Sequence, residues 1–286
     1  MNMYEEVTAS IVAELEKGAV PWIKPWKADS SANKNIVSGK PYRGINRLIL
    51  GMRGMGAGFS SPYWATFKQW QERGGCVRKG EKGTKIVFFS PVEKTTRNAS
   101  GEEETESFAV LKSYFIFNAC QVDGAEVPAP AAERTEFQAH ADSESLLVES
   151  GAAISYGGDA AFYMPSADRI QLPNKASFAS SANFYATAFH ELTHWTGAKH
   201  RLDRDLSKGR FGNPDYAFEE LVAELGAAFL CQEKGIAGDL RHAGYIQSWL
   251  KALRDDSKAI FKAAALAEKA SEFILSQRAS EERIAA

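Results

Sequence analysis

The spacing of hydrophobic and polar positions divides the chain into recognisable elements. Residues 4–17 repeat apolar side chains at helical spacing and stop at Gly18, which predicts an amphipathic helix. Residues 20–27 (VPWIKPWK) contain Pro21 and Pro25, which forbid a regular helix and predict an extended segment displaying Trp22 and Trp26. Residues 34–50 pass from a turn at Ser38 and Gly39 into a helix carrying Arg43, Asn46 and Arg47. The glycine-rich stretch 51–59 reads as a flexible loop, and no Gly-Lys-Ser/Thr ends it as a P-loop requires. Trp64, Phe67 and Trp70 recur at helical spacing and predict a helix over 63–72. Residues 85–89 and 109–118 read as strands, with an acidic hairpin tip at 102–107 between them.

Residues 124–132 (GAEVPAPAA) have linker composition. Beyond them a helix is expected over 133–150, then short strands at 154–156, 161–164 and 169–172 that turn at Gly157-Gly158 and Ser166-Ala167. Ser180 or Ser181 can cap a helix that ends at Gly197, and residues 216–230, 245–253 and 260–275 have the pattern of three more. The expected fold class is α+β in two domains: a small basic domain at 1–123, a linker at 124–132 and a second domain at 133–286.

Composition supports two cores, since 286 residues with 44% hydrophobic and 24% charged suit globular domains. No uninterrupted apolar run approaches the roughly 18 residues of a membrane helix. The opening MNMYEEVTAS lacks an apolar segment, and Cys76, Cys120 and Cys231 form no CxxC. Together these predict a cytoplasmic protein with reduced thiols.

Charge changes the picture more. Residues 17–97 hold 16 Lys and Arg against four Asp and Glu, so a basic module precedes an acidic one. Cations that follow phosphates and rings that stack on bases are what a single-stranded nucleic-acid platform needs. Candidates are Trp22, Trp26 and Tyr42 for stacking, with Lys24, Lys34, Arg43, Arg47, Lys68, Arg78, Lys79, Lys82 and Lys85 for phosphate. Trp64 and Trp70 also belong to the aromatic set, although their helical spacing suits a core better.

The sharpest chemical signal lies at 186–197 (ATAFHELTHWTG). His190 and His194 stand four apart, so a helix projects both from one face, one turn apart. Glu191 follows the first. This is HExxH, in which neutral imidazoles hold Zn²⁺ and the glutamate serves as general base. Manganese or another divalent ion is the alternative occupant. On the next predicted helix Glu220 and Glu224 share a face, which assigns Glu220 as third ligand and Glu224 as the partner that fixes a ligand histidine; Glu219 is the alternative ligand. Tyr216 and His242, along with His200 and Tyr245, are candidate donors to an oxyanion.

Longer strings carry a resemblance. PWIKPW, SGKPYRGIN, YWATFKQW, VRKGEKGTKIVFF and FNACQVDG in the first half, then LPNKASFASSANFYATAFHELTHWTG, RLDR and FEELVAELGAAFL in the second, resemble the ArdC antirestriction proteins of conjugative plasmids. The N-terminal part is also similar to TraC-type plasmid primases. The resemblance implies a single-stranded-DNA-binding domain followed by a zincin-like metallopeptidase domain, acting on an unidentified protein substrate. It implies entry into a recipient bacterium with the transferred strand and protection of incoming DNA from restriction. It also implies that His190, His194 and Glu220 are ligands and Glu191 the catalytic carboxylate. The competing reading is a protein that coats single strands, with the metal domain as scaffold.

Overall fold

The computed structural model describes residues 2–22, 32–97, 103–128, 136–204, 206, 214–236 and 245–284. Inter-residue contacts divide the chain into two compact units: Met1–Ala32, Arg43–Leu48 and Pro130–Ala286 form the first, and Asn33–Tyr42 with Ile49–Ala129 the second. The sequence suggested a domain at 1–123, a linker at 124–132 and a domain at 133–286; the grouping by contact places the first 32 residues in the unit that holds HExxH.

In the first unit, helix α1 (Met3–Glu16) starts at a capping box in which the Asn2 side chain accepts from the Glu5 amide and Glu5 returns a bond to the Asn2 amide. Its buried face, Val7, Ile11 and Leu15, recurs at helical spacing and packs on α7 (Ile246–Asp255). Thr8 Oγ1 donates to the Ser257 carbonyl at 2.7 Å. Helix α4 (Glu136–Glu149) precedes three short strands, β7 (Ala153–Tyr156), β8 (Phe162–Met164) and β9 (Arg169–Leu172), ordered β7-β9-β8. β9 runs parallel to β7 and antiparallel to β8, so β8 is an edge strand among the described residues. Helices α5 (Ser181–Thr196), α6 (Pro214–Lys234) and α8 (Ala259–Ile284) complete the core, in which Phe184, Phe189, Leu192, Leu230 and Ile274 are essentially inaccessible.

In the second unit, a four-stranded sheet has the order β1-β2-β5-β4: β1 (Lys34–Asn35), β2 (Tyr63–Thr66), β4 (Thr84–Arg97) and β5 (Glu103–Asn118). A small ladder pairs β3 (Cys76–Val77) with β6 (Val122–Asp123). Trp64 and Trp70 are fully buried, Trp64 with Leu50, Ile86 and Ile116, and Trp70 with Ile36, Ala65 and Ala119. Their indole nitrogens donate to Asn33 Oδ1 and to the Phe117 carbonyl. The mixed helix-and-sheet class is as expected.

Three local expectations are corrected. The stretch 63–72 is not one helix: Trp64 and Ala65 pair with Asn118 and Phe117 in the sheet, and Thr66 caps α3 (Phe67–Glu72) through a capping box with Gln69. The stretch 51–59 is not a loop: α2 (Ile45–Ala57) continues through Gly51, Gly54 and Gly56, and Gly58 at φ +66° ends it. Burial of Ile45, Leu48 and Leu50 outweighs the roughly 0.5–1 kcal/mol each interior glycine costs. The acidic stretch 103–107 is not a tip, because it pairs with residues 93–97 along β4. None of the described helices is long and apolar enough to cross a membrane.

Candidate metal centre and nucleic-acid surface

Helix α5 begins where the Ser180 hydroxyl accepts from the Asn183 amide, and its apolar face, Phe184, Ala188, Leu192 and Trp195, is buried. That orientation carries His190, Glu191 and His194 toward α6. Helix α6 presents Glu219 and Glu220 to them, with Glu224 one turn further on. One ligand atom from each of His190, His194 and Glu220 can be chosen so that all three lie within 4.8 Å of one another. The two Nε2 atoms are 3.2 Å apart, and Glu220 oxygens lie 3.5 Å from that of His190 and 3.4 Å from that of His194.

The opposite edges of the rings face other carboxylates. His194 Nδ1 lies 3.1 Å from Glu219 Oε1, and His190 Nδ1 lies 3.8 Å from Glu224 Oε1, whose side chain is buried. With each Nδ1 directed at an acid, both Nε2 lone pairs converge with the Glu220 carboxylate. Three converging electron-pair donors of mixed nitrogen and oxygen type suit a divalent cation, so these residues fit a metal ion. Burial pushes the His194 imidazole down, but Glu219 and Glu220 outweigh it and hold its pKa at about 10, so an ion ligated through Nε2 would displace a proton from that ring. Burial raises Glu220 and the two histidines pull it down further, leaving a carboxylate well below its ordinary range.

A cleft of about 310 Å³ opens over this cluster, and His190, Glu191, His194, Glu220, Tyr216 and Tyr245 are among its walls. Ala161, Phe162, Tyr163 and Pro165, from β8 and its flanks, form another side. The Tyr216 and Tyr245 hydroxyls are 3.2 Å apart, and burial raises both pKa values, so both remain protonated phenols. His200 is instead held outside the cleft lining, its Nε2 3.4 Å from Asp168 Oδ2. His242 lies outside the described residues.

The nucleic-acid candidates scatter. Trp22 is a correction: it is 2% exposed, its ring 5.7 Å from that of Trp249, so no face is open for a base. Arg47 is another: it is buried, donates to the Phe229 carbonyl and Gln232 Oε1, lies over the Phe229 ring and pairs with Glu233 and Glu268. Arg43 pairs with Glu272 at 2.8 Å. Tyr42 is partly buried against the Trp64 cluster and accepts from Asn35 Nδ2. Lys24 and Trp26 lie outside the described residues. Lys68, Arg78, Lys79 and Lys82 are exposed, with Arg78 tied to Glu81 and Asp123, and Lys68 3.8 Å from Glu72. Lys34 sits over the Tyr63 ring.

Sequence reasoning missed the rings that are exposed. Phe67, Phe88, Phe89, Tyr114 and Phe115 are 44–57% accessible, four of them on β4 and β5. Their register sets cations beside them: Lys85 lies opposite Phe115, its Nζ 5.8 Å from the ring, and Lys112 lies opposite Phe88. The signal was present in VFF at 87–89, where adjacent aromatics on a strand must point to opposite faces.

Residues 1–117 match the N-terminal domain of anti-restriction factor ArdC, and residues 141–266 match the zincin-like metallopeptidase family. The uncharacterized protein y4eC of Sinorhizobium fredii (strain NBRC 101917 / NGR234) is 40% identical over 99% of this chain and 94% of its own length. The DNA primase TraC of Escherichia coli is 41% identical over 95% of this chain, which spans only 27% of that primase. Among solved structures, the antirestriction ArdC protein from plasmid R388 superimposes in metal-free form with a TM-score of 0.83 at 39% identity, covering 98% of this chain and 99% of that one. Its Mn(II)-bound form gives 0.78 at 38%, covering 97% and 98%. With both parts matched and likeness over nearly the full length, the chain belongs to the ArdC antirestriction family.

Proposed function

We propose that the protein is a metal-dependent peptidase of antirestriction function that also binds single-stranded DNA. The observation that carries the catalytic half is the convergence of His190, His194 and Glu220 within 4.8 Å beside Glu191, at the floor of an open cleft. His190 and His194 would hold the ion through Nε2 and Glu220 through its carboxylate, with zinc the occupant that this nitrogen-and-oxygen set favours and manganese the alternative. When bound, such an ion polarises a carbonyl and lowers the pKa of water toward about 7. Glu191 takes the proton from the attacking water and delivers it to the departing amine nitrogen as the peptide C–N bond breaks. Tyr216 and Tyr245, protonated phenols in the cleft wall, are the donors available to the developing oxyanion.

The exposed rings and neighbouring lysines of β4 and β5 support the DNA half, since stacking contributes about 1–3 kcal/mol per base without a sequence requirement. Titration of the full chain with single-stranded and duplex oligonucleotides across a salt series tests it. Tight, salt-sensitive binding to single strands is expected, weakened by Phe115→Ala and Lys85→Ala.

Replacing Glu191 by Gln tests the peptidase reading against the coating alternative. The variant keeps metal and DNA binding and loses hydrolysis. Loss of protection from restriction supports the peptidase; full protection assigns it to DNA coating.

A further inference from the structure

The segment after HExxH contains RLDR, a motif the proposed chemistry leaves unused. Its last residue, Arg204, is buried, and its guanidinium reaches three partners. Nη2 donates to the Thr193 carbonyl at 2.6 Å and to Glu219 Oε1 at 3.0 Å; Nε donates to Glu219 Oε2 at 3.1 Å; Nη1 donates to Thr196 Oγ1 at 2.9 Å. The Arg204 amide closes the turn by donating to the Gly197 carbonyl at 2.9 Å. Arg204 therefore fastens the end of α5 to the start of α6 and fixes both oxygens of Glu219. The oxygen gripped by Nη2 is the one that faces His194 Nδ1 at 3.1 Å.

We infer that Arg204 and Glu219 are positioning residues for the metal centre: Arg204 sets the Glu219 carboxylate, and Glu219 holds the Nδ1 proton of His194 so that Nε2 is left as the ligand. The inference rests on the metal-site reading above and deepens it. A neutral imidazole has two tautomers, and only the one protonated at Nδ1 offers Nε2 to an ion. A carboxylate at Nδ1 selects that tautomer, stops the ring from turning and makes the ligand more basic, and loss of such a partner costs about 10–100-fold in affinity or activity. Arginine suits the task because its planar fork meets both oxygens of one carboxylate and keeps donors for α5, which a lysine cannot match. The arrangement also explains two adjacent glutamates on α6: Glu220 faces the Nε2 atoms and Glu219 the outer edge of His194.

Competition between a fluorescent chelator and the full chain for Zn²⁺ measures affinity without a peptide substrate. Glu219→Gln, which keeps an acceptor and removes the charge, and Arg204→Met are each expected to bind Zn²⁺ about 10–100-fold more weakly, at an unchanged dichroism spectrum. Arg204→Lys, which still neutralises Glu219, recovers part of that loss. Unchanged affinity in Glu219→Gln overturns the inference, as does a loss equal to that of His194→Ala, which would make Glu219 a ligand in its own right. If Arg204→Met does not fold, the Glu219→Gln result decides alone. Should His194→Ala and Glu220→Gln bind Zn²⁺ like the parent, the metal-site reading itself fails.

Discussion

A β-carbon added to Gly226 would come within 2.5 Å of Thr193 Cγ2 and 2.6 Å of its Oγ1. Helices α5 and α6 thus touch at a point where only hydrogen fits, one residue before His194 on one helix and two after Glu224 on the other. The ligand geometry depends on this approach. Gly226→Ala is expected to destabilise the fold by about 1–3 kcal/mol through overpacking, despite alanine's better helix propensity. It should also weaken Zn²⁺ binding, because the strain is relieved by moving Glu220 away from the histidines. A melting curve and a chelator titration on the same variant check both.

Trp22 and Arg47 act inside the first unit. Trp22→Ala removes a ring buried against Trp249 and is expected to cost about 3–5 kcal/mol. Arg47→Met removes the cation buried beside Glu268 and Glu233 and its bond to Gln232, and is expected to destabilise by a similar amount. Under conditions where both variants remain folded, affinity for single-stranded oligonucleotide stays at the parent value. A denaturant titration beside an oligonucleotide titration distinguishes this from a phosphate or stacking role.

Asp168 predicts an acid limit. Hydrogen bonds from Arg201, opposed by partial burial and helped by Tyr163, hold its carboxyl at about 2, below the usual value near 3.9. His200 is the other titratable neighbour, its Nε2 3.4 Å from Asp168 Oδ2. Because the folded pKa is depressed, the folded state gains stability above pH ~4, and the gain disappears as pH falls from about 4 to about 2. Asp168 has φ +46°, a conformation asparagine tolerates as well, so Asp168→Asn removes charge without backbone strain. Its melting temperature should lie below the parent's at pH 6, with the gap closing toward pH 2.

Metal removal supplies a fourth outcome. An ion that binds only the folded chain stabilises it by about 2.7 kcal/mol at one hundred times its Kd. Zn²⁺ should therefore raise the melting temperature of the parent and EDTA reverse the shift, whereas Glu220→Gln and His194→Ala respond to neither.

Much of the first unit was legible because its elements are long and strongly periodic: α5, α6 and the three strands before them fall close to where their patterns put them. Residues whose meaning depends on distant partners were not. Trp22 in a proline-bracketed, lysine-rich segment has the composition of a displayed ring, and only its distant partner Trp249 on α7 reveals it as core. Arg47 looked like surface charge because Glu268 and Gln232 are more than 180 residues away. The helix through 51–57 was hidden by three glycines whose local cost tertiary burial overrides. The clustering of His190, His194 and Glu220 was anticipated by spacing, but the division of tasks between Glu219 and Glu220 depends on helix rotation, which counting along a two-glutamate run does not supply.

The edge position of β8 has a consequence for selectivity. A strand with an open side lying along a cleft offers evenly spaced amides and carbonyls, and these pair with any extended chain regardless of its side chains. A cleft that recognises main chain discriminates by conformation, accepting loops and unfolded segments while refusing helices and sheets. If the chain is the DNA-bound peptidase proposed above, choice of substrate follows from which loosely folded proteins gather at the bound strand, so address takes over the work that a specificity pocket does elsewhere.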